Sequence, residues 1–220
     1  VTGPVAGELQ EVFVDDWYFA TGERITGPGF FPPPRERPRL PVHIVLGGPD
    51  RPNEPVSKSI VSLVNESAAR VWIATGYFVP DDLILGALEL AAGRGVDVRL
   101  LIPARNDHPW LVVVGRSYYS QLLAAGVRIF EYTAGVHHAK IALADDVWAM
   151  VGSANLDYRS MRLNFELNLL FRSRAHNAAL ADVFTEDFAL CQEIDPAAFA
   201  RRPFRKKFAE AALRPLSPLL

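Results

Sequence analysis

HAKIALADDVWAMVGSAN, residues 138–155, sets His138, Lys140, Asp145, Gly152, Ser153 and Asn155 at the intervals H-x-K-x4-D-x6-G-S-x-N. Six specified residues at fixed spacing arise by chance at roughly one start position in tens of millions, so the pattern is a strong signal. Its residue types suit one chemistry. A phosphodiester is anionic and repels nucleophiles, so its catalyst needs an imidazole to attack or to move protons. It also needs a cation to neutralise oxygens, and small donors to hold them. Apolar runs at 139–144 and 147–151 flank Asp145-Asp146, which predicts two strands joined by a two-residue hairpin turn. On a strand, His138 and Lys140 share a face. The register set by that turn puts Ser153 directly across from His138 with Asn155 just beyond, so four polar groups converge on a phosphate-sized spot.

Outward from this hairpin, apolar spacing predicts a helix over 5–20 closing at Gly22, then a Pro/Gly/Arg-rich connector over 27–41 that marks a domain boundary. Strands over 42–46, 70–75, 96–102 and 127–131 alternate with helices over 56–66, 81–92 and 110–125. Such alternation predicts an α/β layered fold. The 93–95 stretch and Gly126 stand where helix C-caps belong. A strand over 165–171 completes the sheet and a helix over 177–191 covers it. The division expected is 1–41 for the N-terminal helix and connector, 42–173 for the catalytic domain, and 174–220 for C-terminal helices with a basic tail.

Composition fits a folded chain with a substantial core: half of the 220 residues are hydrophobic and 22% are charged. Cys191 is the only cysteine and reads as a core residue of the last helix, so no intramolecular disulfide is expected. No apolar run approaches the ~18 residues of a membrane span, and no signal peptide is visible. No His, Cys or Asp group has metal-ligand spacing, so no metal or other cofactor is expected. The net charge of −2 is unevenly placed, because Arg201, Arg202, Arg205, Lys206, Lys207 and Arg214 against Glu210 make the C-terminal stretch basic. That distribution argues against a general nucleic-acid binder, which would show a basic face across the domain. It allows a local contact with anionic lipid. Phe204, Phe208, Ala211, Ala212 and Leu216 fall near one helical face beside those cations, the pattern of an interfacial helix. Arg201, Arg202, Phe204, Arg205, Lys206, Lys207 and Phe208 are therefore candidate membrane contacts.

The motif resembles the second catalytic motif of the phospholipase D superfamily. The longer stretch GSANLDYRSMRLNFELNLLF, residues 152–171, is similar to the bacterial cardiolipin synthases within it. Further likeness runs through DDWYFATGE at 15–23, GYFVPDD at 76–82, RSYYSQLLAAGVRIFEY at 116–132 and the terminal SPLL. The family pattern usually has proline where this chain has Gly76. The resemblance implies a mixed β-sheet between helical layers, and a single active site built from two such motifs. This chain has one motif and no second H-x-K, and its opening resembles the segment C-terminal to the first motif. A C-terminal half is therefore expected.

By the same resemblance, the activity expected is phosphatidyl transfer between phosphatidylglycerol molecules through a phosphatidyl-histidine. His138 would act as acid and base, Lys140, Ser153 and Asn155 would bind phosphoryl oxygens, and Glu166 would hold the catalytic imidazole. Asp145, though part of the motif, is expected to act structurally in its turn. His137 alternates away from His138 and reads as a packing or surface residue. His108 reads as a loop turn residue, Tyr77 and Phe78 as cleft lining, and Arg159 as a partner of phosphate or of Asp157. The expected partners are anionic phospholipid, a membrane surface on the cytoplasmic side of the bacterial inner membrane, and either a first half or a second copy. Two other readings remain: a homodimeric phosphodiesterase or nuclease with one motif per chain, and a non-catalytic fragment that keeps the lipid surface.

Overall fold

The computed structural model describes residues 3–33 and 40–219. Residues 34–39 of the expected connector, with Val1, Thr2 and Leu220, lie outside the described residues. By contact the chain divides into two compact units, Val1–Ile44 and Val45–Leu220. The first holds α1 (Pro4–Thr21), which opens on a proline at its first position and ends where Gly22 turns left-handed and donates its N–H to the Tyr18 carbonyl. None of the residues of α1 is buried.

After α1 come β1 (Val42–Gly47), α2 (Pro55–Glu66), β2 (Arg70–Ala74), β3 (Phe78–Val79), α3 (Asp82–Gly93), β4 (Asp97–Pro103), α4 (Pro109–Ala125), β5 (Arg128–Tyr132), β6 (Ile141–Ala144), β7 (Trp148–Gly152), β8 (Leu156–Asp157), α5 (Tyr158–Arg162), β9 (Glu166–Arg172), α6 (Arg174–Phe188), β10 (Cys191–Glu193), α7 (Pro196–Ala200) and α8 (Phe204–Leu213), with a final 3-10 turn over Arg214–Leu219. Eight strands form one mixed sheet in the order β1-β9-β7-β6-β2-β4-β5-β10, and β3 pairs with β8 apart from it. The pairs β2–β4 and β4–β5 are parallel, as strands joined through crossover helices must be. The pairs β2–β6, β6–β7 and β7–β9 are antiparallel.

One face of the sheet packs Val71, Ile73, Leu100, Ile129, Ala142 and Met150 against α2, α3 and α4, whose Val56, Ile60, Ile84, Leu88, Val114 and Leu122 are buried. The other face packs Trp72, Leu101, Leu143 and Ala149 against Phe184 and Phe188 of α6. A sheet buried on both sides explains why its central strands read as continuous apolar runs rather than alternating ones. Close backbone approach selects glycine at Gly115, where a Cβ would stand 2.6 Å from the Phe78 carbonyl.

Three sequence expectations are corrected here. The catalytic hairpin turns through three residues, 145–147, not two, and pairs Ile141 with Val151 and Ala144 with Trp148. That register is one residue out from the expected one. It puts Gly152 level with Lys140, whose carbonyl accepts the Gly152 N–H at 3.1 Å, and Ser153 is not the cross-strand partner of His138. The cause is Asp145, which takes φ 52° at the start of the turn and adds a residue to it. Cys191 lies in β10 and not in a helix: α6 starts early because the Ser173 side chain caps it, and it ends at Phe188. The Cys191 thiol is half-buried, donates to the Asp187 carbonyl, and has its pKa raised to about 11, chiefly by burial. Third, β3, β8, α5, β10 and α7 are short elements that periodicity did not reveal.

Candidate active site

His138 lies just ahead of β6, at the end of an irregular stretch that leaves β5 at Tyr132. Its ring is exposed and makes no hydrogen bond among the described residues. It is instead seated by packing. The Tyr77 ring stands edge-on to it, with centroids 5.8 Å apart and planes at 76°. Beneath it is Gly76, where a Cβ would fall 2.5 Å from the imidazole Cδ2 and 3.2 Å from both Nε2 and the Asn155 Oδ1. The missing side chain of Gly76 is thus the space in which His138 and Asn155 come together.

Asn155 lies beyond the end of β7 and is buried. Its Oδ1 accepts the Tyr77 N–H at 3.3 Å, and its own N–H donates to the Ser160 hydroxyl at 3.1 Å. With the oxygen so engaged, the amide NH2 is the end left to donate outward. Thr75 ties the two crossing segments, donating its hydroxyl to the Tyr77 carbonyl at 2.7 Å and accepting the Leu156 N–H at 3.0 Å. Tyr77 is in turn held by its hydroxyl, which donates to Asp107 Oδ1 at 2.6 Å and raises its pKa to about 12. The same bond, helped by His108 and His138, holds the Asp107 carboxyl below its usual range.

Lys140 reaches back to donate its ammonium to the His138 carbonyl at 2.9 Å. Burial pulls its pKa down, while the Glu166 and Asp157 carboxylates pull it up. Burial likewise raises the Asp157 carboxyl, with Glu166 adding to the shift and the hydrogen bonds from Ser160 opposing it. Asp157 caps α5 through the Ser160 N–H at 2.7 Å. Ser153 accepts the Leu167 N–H at 2.9 Å and donates its hydroxyl to Glu166 in a short hydrogen bond. Glu166 also accepts from Asn164, and no hydrogen bond joins it to His138. A buried carboxylate needs such partners.

The structure gathers His138, Asn155 and Tyr77 around Gly76, with Lys140 tied to the His138 backbone and Ser153 tied to Glu166. It separates Asp145 from all of them. The Asp145 Oδ1 accepts the Ala69 N–H at 2.7 Å, the Ala68 N–H at 3.1 Å and the Arg70 N–H at 3.2 Å, at the start of β2. Arg159 is exposed beside Asp157. His108 precedes α4 and stacks loosely on Tyr77 and Trp110. Sequence reasoning missed Asp107, Thr75 and Asn168. Asn168 could have been found as Glu166 was, a polar residue among the apolar ones of LNLL; it is 2% exposed with its Nδ2 unpartnered. Among the described residues no group of three His, Cys, Asp or Glu side chains is placed to hold a metal ion.

At the other end of the chain, α8 presents Phe204 and Phe208 at 77% and 64% exposure, with Arg201, Arg205, Lys206 and Lys207 exposed around them. Arg202 departs from the expected set. Its guanidinium lies over the Phe199 ring and bonds the buried Glu210 at 2.6 and 2.8 Å.

A mixed sheet between helical layers, carrying a strand-end imidazole with an ammonium and an amide beside it, defines the phospholipase D class of fold. Residues 60–188, more than half of the chain, match the family described as cardiolipin synthase, PLD-like domain, and the chain belongs to that family. It is 41% identical to a cardiolipin synthase of Geobacillus kaustophilus and 40% identical to one of Geobacillus thermodenitrificans, each alignment covering all of this chain and 44% of the relative. A cardiolipin synthase A of Pseudomonas fluorescens is 37% identical, with 46% of its length covered. The chain therefore spans less than half the length of these relatives. Among solved structures, the fold is similar to Nuc of Salmonella typhimurium, a phospholipase D family member (TM-score 0.61, 16% identity, 71% of this chain and 99% of that one). It is also similar to the phosphatidylserine synthase of Haemophilus influenzae (TM-score 0.62, 17% identity, 82% of this chain and 48% of that one).

Proposed function

We propose that this chain is one half of a cardiolipin synthase active site, its catalytic part lying within 42–173 and its membrane-facing part within 174–220. The observation that carries the reading is the meeting of the His138 ring and the Asn155 amide over Gly76, with the Lys140 ammonium anchored two residues along. A histidine of the complementary half attacks the phosphorus of phosphatidylglycerol and forms the N–P bond of a phosphatidyl-histidine. His138, protonated, gives its proton to the departing glycerol oxygen. Neutral His138 then takes the proton from a hydroxyl of a second phosphatidylglycerol, whose oxygen displaces the histidine and yields cardiolipin. Lys140 and Asn155 hold the phosphoryl oxygens, and Ser153 joins them when its one hydroxyl proton turns from the Glu166 carboxylate to the phosphate. Asp145 acts on the fold and not on the phosphate. No metal takes part. The exposed phenylalanines and cations of α8 rest on the anionic surface of the inner membrane, on its cytoplasmic side.

A second reading, a homodimeric phosphodiesterase, is favoured by one observation. The whole of a solved phospholipase D family member corresponds to this one-motif fold. Phosphatidylglycerol vesicles decide between the two. Mixing the chain with the N-terminal half of the 41% identical relative should give cardiolipin and glycerol, and His138→Ala should abolish both. Water-dependent cleavage without transfer would favour the phosphodiesterase. Transfer that survives His138→Ala would overturn the reading.

A further inference from the structure

Between Tyr132 and Ile141 the chain runs through eight residues of irregular structure, and His138 sits near their far end. Three ties hold this stretch to the body, one of them at its far end, where the Lys140 carbonyl accepts the Gly152 N–H at 3.1 Å. Near its start, Thr133 donates its N–H and its hydroxyl to the Leu190 carbonyl at 3.2 and 2.9 Å. Next to His138, the His137 Nε2 bonds Asp187 Oδ2 at 3.0 Å, and the His137 side chain is 10% exposed. The His137 ring packs on Tyr132 with centroids 5.1 Å apart. Its Nδ1 is buried with no partner. Burying a polar ring with one nitrogen unsatisfied costs stability, and a surface residue would not retain such a placement. Asp187 itself sits where α6 ends, one turn before Cys191 pairs with Tyr132 across β10 and β5, so the anchor point is rigid.

We infer that His137 and Asp187 form a positioning clamp for the neighbouring imidazole of His138. The ring of His138 has no hydrogen bond of its own to fix it, and Tyr77 and Gly76 only bound the space that it fills. Its place along the cleft is set by the backbone, which Lys140 steadies within the stretch by bonding the His138 carbonyl, and the nearest side chain that ties that backbone to another element is His137, one peptide unit away. A displacement of about 1 Å at a reacting group can cost about a hundredfold in rate. The clamp rests on the proposed role of His138 only for its effect on turnover; its effect on the ring is independent of it.

The test reads the ring directly. In chain labelled with 15N-histidine, His137→Ala and Asp187→Ala should broaden or split the His138 ring signals and weaken the cross-relaxation between His138 and the Tyr77 ring. His137→Gln, which keeps a donor at similar reach, should leave them near wild type. In the mixture with the complementary half, the two alanine variants should lose roughly 10- to 100-fold in kcat with KM within about twofold, and the glutamine variant should stay within about threefold. Unchanged His138 signals in folded His137→Ala would overturn the clamp, whatever the activity. Should that variant unfold, the Asp187→Ala spectrum decides alone, and unchanged signals there overturn the clamp equally. If wild type never turns over while the ring signals respond as expected, the clamp stands and the functional reading fails.

Discussion

Asp145 and Arg70 hold each other three times: the carboxylate of Asp145 accepts the Arg70 N–H at 3.2 Å, the Asp145 carbonyl accepts the Arg70 guanidinium Nε–H at 2.7 Å, and the Asp145 N–H donates to the Arg70 carbonyl at 2.9 Å. With Ala68 and Ala69 also donating to it, one turn residue of the catalytic hairpin caps the first amides of β2. Hydrogen bonds to a charged group contribute about 1.5–3 kcal/mol each when well formed. Asp145→Ala should therefore lower the unfolding free energy by about 2–4 kcal/mol, and Asp145→Asn by less, because an amide oxygen still accepts. Urea titrations of the two variants check this. Equal stability in both would remove the capping role.

At Gly76 the added methyl group is expected to act on chemistry more than on folding. The Cβ of Gly76→Ala would overlap the His138 imidazole, a side chain free to rotate toward solvent. Gly76 is itself buried and the Cβ would also stand 3.2 Å from the Asn155 Oδ1, so stability should fall by about 1–3 kcal/mol, the usual cost of overpacking. Turnover with the complementary half should fall at least tenfold, through kcat. A variant with wild-type kcat would show that the ring need not occupy the place in which it stands here.

For Lys140 the sign comes from burial. Its folded pKa is below the ordinary 10.5, so in the window between the two the unfolded chain binds more protons and stability rises with pH. Titration of the Lys140 13Cε signal should place its midpoint below the ordinary 10.5. Glu166→Gln removes a carboxylate that holds the ammonium charged, so the Lys140 midpoint should fall further. A midpoint that rises in that variant would contradict the electrostatic arrangement.

Testing the proposed membrane contact requires surface substitutions and not deletion of the tail. The tail is wired into the fold: the Tyr118 hydroxyl donates to Ser217 at 2.8 Å, and Arg202 neutralises the buried Glu210. Replacing Phe204 and Phe208 with serine leaves those contacts in place. Flotation with vesicles rich in phosphatidylglycerol should then show binding weakened by tenfold or more, and raised salt should weaken what remains. Undiminished binding would assign the patch another use.

A lone monomer should not transfer phosphatidyl groups. Displacement at phosphorus needs a nucleophile and a separate acid on opposite sides, and one imidazole cannot stand in both places. Transfer measured at concentrations where mass photometry shows only monomer would refute this. EDTA should leave the rate of the reconstituted pair unchanged; inhibition reversed by added metal would refute a metal-free reaction.

What could be read in the sequence, and what could not, divides along physical lines. Helices and long strands were legible because their apolar spacing reports burial directly, as in α2 and β4. The hairpin register was not, because it turns on one backbone angle, the φ of Asp145, and nothing in the pair Asp145-Asp146 distinguishes a two-residue turn from a three-residue one. His138, Lys140, Asn155 and Ser153 could be named from spacing alone. Their neighbours could not: Asp107 reaches the site through Tyr77, and His137 is anchored to Asp187 fifty residues on. Contacts so distant along the chain leave no local pattern.

The central β2 pairs with β4 on one edge and with β6 on the other, residues 71–74 meeting residues 141–144. During vectorial synthesis at about 5–20 residues per second, β2, β4 and β5 leave the ribosome seconds before β6 does. For that interval the nascent chain carries an apolar strand with one open edge, the kind of template that recruits stray strands. Asp145 arrives immediately behind β6 and fastens its far end to the start of β2, so the open edge passes from β2 to β6 until β7 pairs with it.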